Sequence, residues 1–140
     1  MKYAVIFMLK DKTTVYDVSV PDLPGCLVQA ESVDEGLDKI TKAMKAHLTI
    51  LAEYGEKVPN AQSIDIHRKN YALANPYTYQ QAFWAVINID ITPYLGKSHK
   101  INVTLPELLI AQIDDKVSKS VDYKTRSGFI ASACMAELQK

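Results

Sequence analysis

Near the C-terminal end, Lys100-Ile101-Asn102-Val103-Thr104-Leu105-Pro106-Glu107 restricts what the last third of the chain can become. Side chains alternate faces along an extended strand, so Ile101, Val103 and Leu105 share one side while Lys100, Asn102 and Thr104 share the other. Proline has no N–H to lose and a preset φ, which suits a first helical turn, and Glu107 complements the positive end of that helix. Leu109, Ile113 and Val117 then recur at four-residue spacing, flanked by Leu108 and Ile110, and predict a helix that stops near Ser120. Beyond a polar turn over 121–124, Thr125 is the expected N-cap of a second helix. Its predicted buried face is Phe129, Ile130, Ala133, Cys134 and Leu138.

A strand-helix-helix unit of about 40 residues lies near the size below which a core is rarely self-sufficient. A lone strand also leaves its backbone donors and acceptors unpaired. Two copies that pair their strands antiparallel about a two-fold axis and interlock their helices remove both problems. Alternation before a proline, taken singly, equally describes an ordinary edge strand; the spacing of the whole unit points to the dimer.

These residues, Lys100 to Leu138, resemble a ribbon-helix-helix DNA-binding domain. In that family the two-stranded ribbon enters the major groove, with outward residues two, four and six positions before the proline. The resemblance therefore implies Thr104, Asn102 and Lys100 as base readers. Asn can contact adenine through two hydrogen bonds, Lys can donate to guanine, and Thr can touch a thymine methyl. It also implies a phosphate at the start of the second helix, on the backbone N–H groups of Arg126 and Ser127 after Thr125, with the Arg126 side chain adding a contact.

Hydrophobic residues at 48% and charged residues at 23% of 140 describe a globular chain of one or two small domains. No apolar stretch approaches a bilayer span and no signal-peptide pattern opens the chain, so the cytoplasm is the expected location. Net charge is zero, but residues 97–140 carry seven Lys or Arg against five Asp or Glu, and residues 1–96 nine against eleven. That asymmetry suits a DNA-facing C-terminal part. Cys26 and Cys134 fall in different predicted domains without metal-ligand companions, and both are read as core packing.

In the N-terminal part, Tyr3 to Leu9 is an apolar run expected to form a strand buried on both faces. Thr14 to Val20 alternates and completes a hairpin, Pro21-Asp22-Leu23-Pro24-Gly25 breaks the ladder, and Cys26 to Glu31 is a third strand. Ser32 with Glu35 forms a capping box. Leu37, Ile40, Met44, Leu48 and Leu51 mark one helical face, and Gly55 supplies the stop. Phe83 to Ile91 is a fourth strand, giving βββαβ. Residues 61–82, rich in Tyr, Asn and Gln from Asn70 to Gln81, are expected to be an irregular insertion; His67, Arg68 and Lys69 could touch RNA or a toxin, but are read as a solvated loop.

The segment is similar to the N-terminal domain of HicB antitoxins in Pro21 to Cys26, Gln29-Ala30, the capped helix from Ser32 and Glu56-Lys57-Val58-Pro59. Tyr94-Leu95-Gly96-Lys97, Ile101 to Glu107 and Arg126-Ser127-Gly128-Phe129 resemble the HicB subgroup with a ribbon-helix-helix domain. The implied fold is α+β: a partial ribonuclease-H-like βββαβ toxin-binding domain over 1–93, a linker over 94–99 and a βαα dimerisation and DNA-binding domain over 100–140. The implied function is that of a type II antitoxin, which neutralises a HicA-like mRNA-cleaving ribonuclease and represses its own operon. Homodimers would form through residues 100–140, with a tetramer as the further assembly left open.

A metal-dependent nuclease needs several carboxylates, and Tyr3 to Leu9 contains none; Asp17 and Asp90 are isolated. No enzymatic activity, metal or cofactor is therefore expected. The toxin-contacting residues are left open, with the loop over 21–26 and the helix surface over 39–45 as guesses. The alternative is a stand-alone ribbon-helix-helix repressor whose N-terminal domain serves oligomerisation or ligand sensing.

Overall fold

The computed structural model describes residues 1–140, which divide into one unit over Met1–Ser98 and a second over His99–Lys140. The first contains β1 (Lys2–Leu9), β2 (Tyr16–Ser19), β3 (Leu27–Ala30), α1 (Val33–Glu53), α2 (Ile64–Ala74) and β4 (Phe83–Asn88). Short 3-10 turns occupy Tyr79–Gln81 and Thr92–Tyr94. The sheet runs β3-β2-β1-β4 with every pairing antiparallel. β1 is therefore central, which explains its unbroken apolar sequence: Tyr3, Ala4, Val5, Ile6 and Phe7 are all buried.

Register assigns the two faces. Phe7 lies opposite both Val18 and Phe83, so these three share a side, and the Phe7 and Phe83 rings meet edge-on at 5.5 Å. α1 covers this side. A Cβ added to Gly36 would lie 2.6 Å from Phe7 Cε1 and 3.2 Å from Val18 Cγ2, so only glycine lets the helix approach so closely. Ile40, Met44 and Leu48 continue the buried stripe with no exposed surface, and each such side chain stabilises the unit by about 1.5–3 kcal/mol.

The ends of α1 follow from local chemistry. Ser32 Oγ accepts the Glu35 N–H at 3.1 Å, while the Glu35 carboxylate accepts from the N–H of Glu31 at 2.8 Å, one residue upstream of the N-cap. Hydrogen bonding to Lys39, then to Glu31, holds the Glu35 carboxyl below its ordinary range. At the other end Gly55 adopts φ +70°. Its N–H bonds Ala52 O at 3.1 Å and that of Glu56 bonds Leu51 O at 2.8 Å, the paired closure a left-handed residue permits.

The expectation of an irregular insertion over 61–82 is corrected. α2 occupies Ile64–Ala74, capped by Ser63 Oγ accepting from Ile66 N–H at 3.3 Å. Its inward side chains are unusual for a helix: Ile64, His67 and Tyr71, spaced three and four apart, are half-buried. Tyr71 meets Trp84 edge-on at 5.9 Å and its hydroxyl donates to Met8 Sδ at 3.4 Å. Since Trp84 pairs with Ile6, on the side opposite Phe7, α2 covers the second face of the sheet. His67 is on this helix rather than a solvated loop, and its Nε2 lies 2.8 Å from Asp22 Oδ2. Those side chains are 11% and 7% exposed.

The predicted strand over 83–91 ends its ladder at Asn88, and Asp90 accepts from Thr92 N–H at 3.0 Å to turn the chain. Ile89 and Ile91 still pack inward. No helix is long and apolar enough to cross a membrane.

Tyr3 illustrates what burial does to a titrating group. Its hydroxyl donates to Pro59 O at 2.7 Å. Burial first, and the Asp22 charge second, push the phenol up from 10.0 to about 12. A raised acid pKa means the folded state keeps its proton longer, so stability is intact below pH 10 and declines from there through about 12. Urea titrations from pH 9 upward should lose about 2 kcal/mol over that window, and Tyr3→Phe should flatten this part of the decline.

The second unit contains α3 (Glu107–Lys119) and α4 (Arg126–Leu138). Ser120 ends α3 and Thr125 caps α4, where the sequence places both events. Pro106 sits at the N-cap position of α3, just outside the first helical turn that the sequence suggests for it.

Candidate functional site

Lys100, Asn102 and Thr104 are all exposed, on a segment immediately before α3. The strand predicted over 100–107 is not formed within the chain, because a strand is defined by a ladder and no other segment pairs with this one. Its apolar side is equally bare, with Ile101 at 79% and Val103 at 62% exposure.

The same shortfall recurs on the helices. Ile113 is the buried hydrophobic side chain of this unit, whereas Leu108, Val121 and Leu138 stand largely in solvent. Of the face predicted to be buried on α4, Phe129 and Ile130 are half-buried; Ala133, Cys134 and Leu138 are exposed. The reading of both cysteines as core is thus corrected for Cys134 and holds for Cys26. Two helices present too few surfaces to cover one another, so an amphipathic pattern here specifies a face without supplying what covers it. The one aromatic pair, Tyr123 with Phe129 at 5.2 Å, pins the turn to α4.

At the start of α4, Thr125 has extended dihedrals and its Oγ1 accepts the Gly128 N–H at 3.0 Å. Helix geometry leaves the N–H groups of Arg126 and Ser127 without partners inside the helix, aimed outward at its positive end. The Arg126 side chain is engaged elsewhere: Nε donates to Asp114 Oδ1 at 2.9 Å and Nη2 to Oδ2 at 2.7 Å. This fork-to-carboxylate pair ties α3 to the N-terminus of α4. It holds the Asp114 carboxyl below its ordinary range and the guanidinium above its own, hydrogen bonding being the main cause of both. Asp114 was not anticipated from sequence; it stands 12 residues before Arg126, on the far side of the turn, with no periodicity linking the two.

In the first unit, the loop over 21–26 is mostly committed to the fold. Leu23 and Cys26 are buried, and the Asp22 carboxylate accepts from Gln62 N–H at 3.2 Å as well as facing His67. On α1, Lys39 pairs with Glu35 at 2.7 Å and donates to Gln29 O at 3.1 Å, while Lys42 and Lys45 are exposed. Asp17 is half-buried, with Oδ1 lacking a hydrogen-bond partner and Lys10 Nζ 3.7 Å away.

Similarity to known proteins extends over most of the chain. The family model described as HicB_like antitoxin of bacterial toxin-antitoxin system matches residues 3–134. An uncharacterised 14.9 kDa protein in the rep-hol intergenic region of Haemophilus phage HP1 is 32% identical over 116 residues, covering 83% of each chain. The crystal structure of the Burkholderia pseudomallei antitoxin HicB superposes with a TM-score of 0.69 at 30% identity, over 99% of this chain and 98% of that one. The structure of the N-terminal domain of the same antitoxin matches 64% of this chain and 99% of its own length, with a TM-score of 0.51 at 30% identity.

Proposed function

Because the chain belongs to the family of HicB-like antitoxins of bacterial toxin-antitoxin systems, we propose a division of its work between the two units. Residues 1–98, with a folded core and both sheet faces covered, bind and neutralise a HicA-like mRNA-cleaving ribonuclease. Residues 99–140 form a ribbon-helix-helix homodimer that represses the operon by entering the major groove. The partial ribonuclease-H-like reading of the first unit is kept for its scaffold alone, and no catalytic role is assigned to it.

One observation carries the DNA-binding part: residues 100–104 leave apolar Ile101 and Val103 and polar Lys100, Asn102 and Thr104 exposed in alternation, next to an α4 whose predicted apolar face is only partly covered. A second copy supplies ladder partners for the backbone and cover for Ile101, Val103 and the α4 face in a single step. The polar row, Lys100, Asn102 and Thr104, then stands on the outer side of the ribbon with donor and acceptor groups suited to base edges. Phosphates on either flank meet the free N–H groups of Arg126 and Ser127 beside the Thr125 cap.

Alanine at Lys100, Asn102 and Thr104 together is expected to weaken operator binding by at least 1,000-fold, taking roughly 1–3 kcal/mol per good base contact, while the toxin stays neutralised. Gel shifts with the upstream DNA, alongside growth assays with the toxin gene, separate the two activities. Operator binding that survives the triple change sinks the ribbon assignment.

A further inference from the structure

We infer that the groove between α2 and β4 is a binding site for single-stranded RNA, apart from the toxin and duplex-DNA roles above. The groove has a volume of about 460 Å³ and is lined chiefly by Asp65, Arg68, Lys69, Tyr79, Gln80 and Trp84. That volume falls in the range of small-ligand sites, with room for a nucleoside and its phosphate.

The lining separates into three chemistries. Trp84 and Tyr79 are partly exposed aromatics, and an exposed ring face is a platform on which any base can stack. Trp84 is fixed, because Tyr71 meets it edge-on at 81° and is itself held through Met8, so the platform is built before a ligand arrives. Arg68 and Lys69 supply the cations. The ion pairs of this unit are Lys10–Asp17, Lys39–Glu35 and His67–Asp22, so neither charge is spent on a carboxylate. Both sit on the second turn of α2, held by its Ser63 cap and by His67 clamped to Asp22.

Asp65 is the acid of the groove and repels phosphate from the first turn of α2, which directs phosphate toward Arg68 and Lys69. A carboxylate there can accept from a ribose 2′-hydroxyl, which favours RNA over DNA. Gln80, whose Nε2 reaches Tyr79 Oη at 3.3 Å, offers an amide to a base edge. Aromatic floor, two free cations and hydroxyl acceptor together match a nucleotide strand better than a basic protein surface, which the two cations would repel.

Trp84 is the single tryptophan of the chain, so its fluorescence reports this groove alone. Titration of the full-length protein with a uridine tetranucleotide should quench Trp84 emission saturably below about 1 mM. Arg68→Ala with Lys69→Ala should weaken that binding about 10-fold or more and flatten the log–log salt slope by about 1.4, at about 0.7 per phosphate contact on a single strand. Both side chains are exposed, so the thermal melt should not change. The deoxyuridine counterpart should bind several-fold more weakly, and Asp65→Ala should erase that difference.

Absence of quenching at 1 mM overturns the site, as does unchanged affinity in the double variant. Equal affinity for the deoxy strand overturns the RNA assignment. Quenching by the purified toxin, with none by the oligonucleotide, transfers the groove to the protein interface and overturns the inference. Alanine at Lys100, Asn102 and Thr104 should leave the quenching intact, so failure of the repressor reading and failure of this one are told apart.

Discussion

Phe7→Ala is expected to cost the first unit about 3–5 kcal/mol, a large part of the 5–15 kcal/mol that holds a typical domain folded. Phe7 has no exposed surface. Its ring meets Tyr16 at 5.9 Å and Phe83 at 5.5 Å, both edge-on, and α1 crosses it at Gly36. Removing the ring leaves a cavity bordered by two strands and a helix, none of which can collapse without disturbing the ladder. The obstruction also runs the other way: Gly36→Val must displace Phe7 and Val18, and should destabilise by more than the 1–3 kcal/mol usual for overpacking. Combining Gly36→Ala with Phe7→Leu should recover part of the loss, because the shorter side chain vacates the space a Cβ would enter. Urea denaturation of the wild-type protein, Gly36→Ala, Phe7→Leu and the double variant measures the coupling; strict additivity would mean that helix and ring do not compete for that space.

Val103→Asp is expected to disperse the proposed dimer while leaving the first unit folded. Val103 stands on the apolar row of the proposed ribbon, at 62% exposure in the single chain. A carboxylate costs nothing there until a second copy arrives. On pairing, two such charges enter one interface about the symmetry axis, a penalty of roughly 4 kcal/mol or more, which is about a thousandfold in the dimerisation constant. Sedimentation velocity should show the change, and operator binding should disappear with it, since each half-ribbon needs the other. A dimer that persists unchanged in Val103→Asp places the self-association elsewhere and removes the physical basis for the ribbon.

How far the sequence could be read depended on where the partner of each residue lies. β1 and α1 were legible because their partners are repeated local patterns: an unbroken apolar run in a central strand, and Ile40, Met44 and Leu48 at helical spacing behind a serine cap. α2 escaped because its inward residues are Ile64, His67 and Tyr71, and only the first is aliphatic. His67 is satisfied by Asp22, 45 residues away, and Tyr71 by Met8, 63 away. The Ser63 cap was the local signal available, with Asp65 in the first turn to support it. In the second unit, the helix boundaries at Ser120 and Thr125 were set by nearby residues. The strand the sequence predicts before α3 is not formed in the single chain and the predicted α4 face is largely uncovered, since no residue of one chain supplies a ladder partner or a cover there. Asp114 and Arg126 are joined only because the turn between the helices brings them together.

That bidentate pair changes what a phosphate would meet at the mouth of α4. The guanidinium does not wait there unclaimed: Asp114 acts as a resident counterion, so a nucleic-acid phosphate that recruits Arg126 must evict a carboxylate already in place. The step is an exchange of one anion for another, and its driving force is the difference between two similar attractions. What the pair supplies without competition is orientation, a guanidinium held by Asp114 at the start of α4, beside the two amides proposed to receive a phosphate.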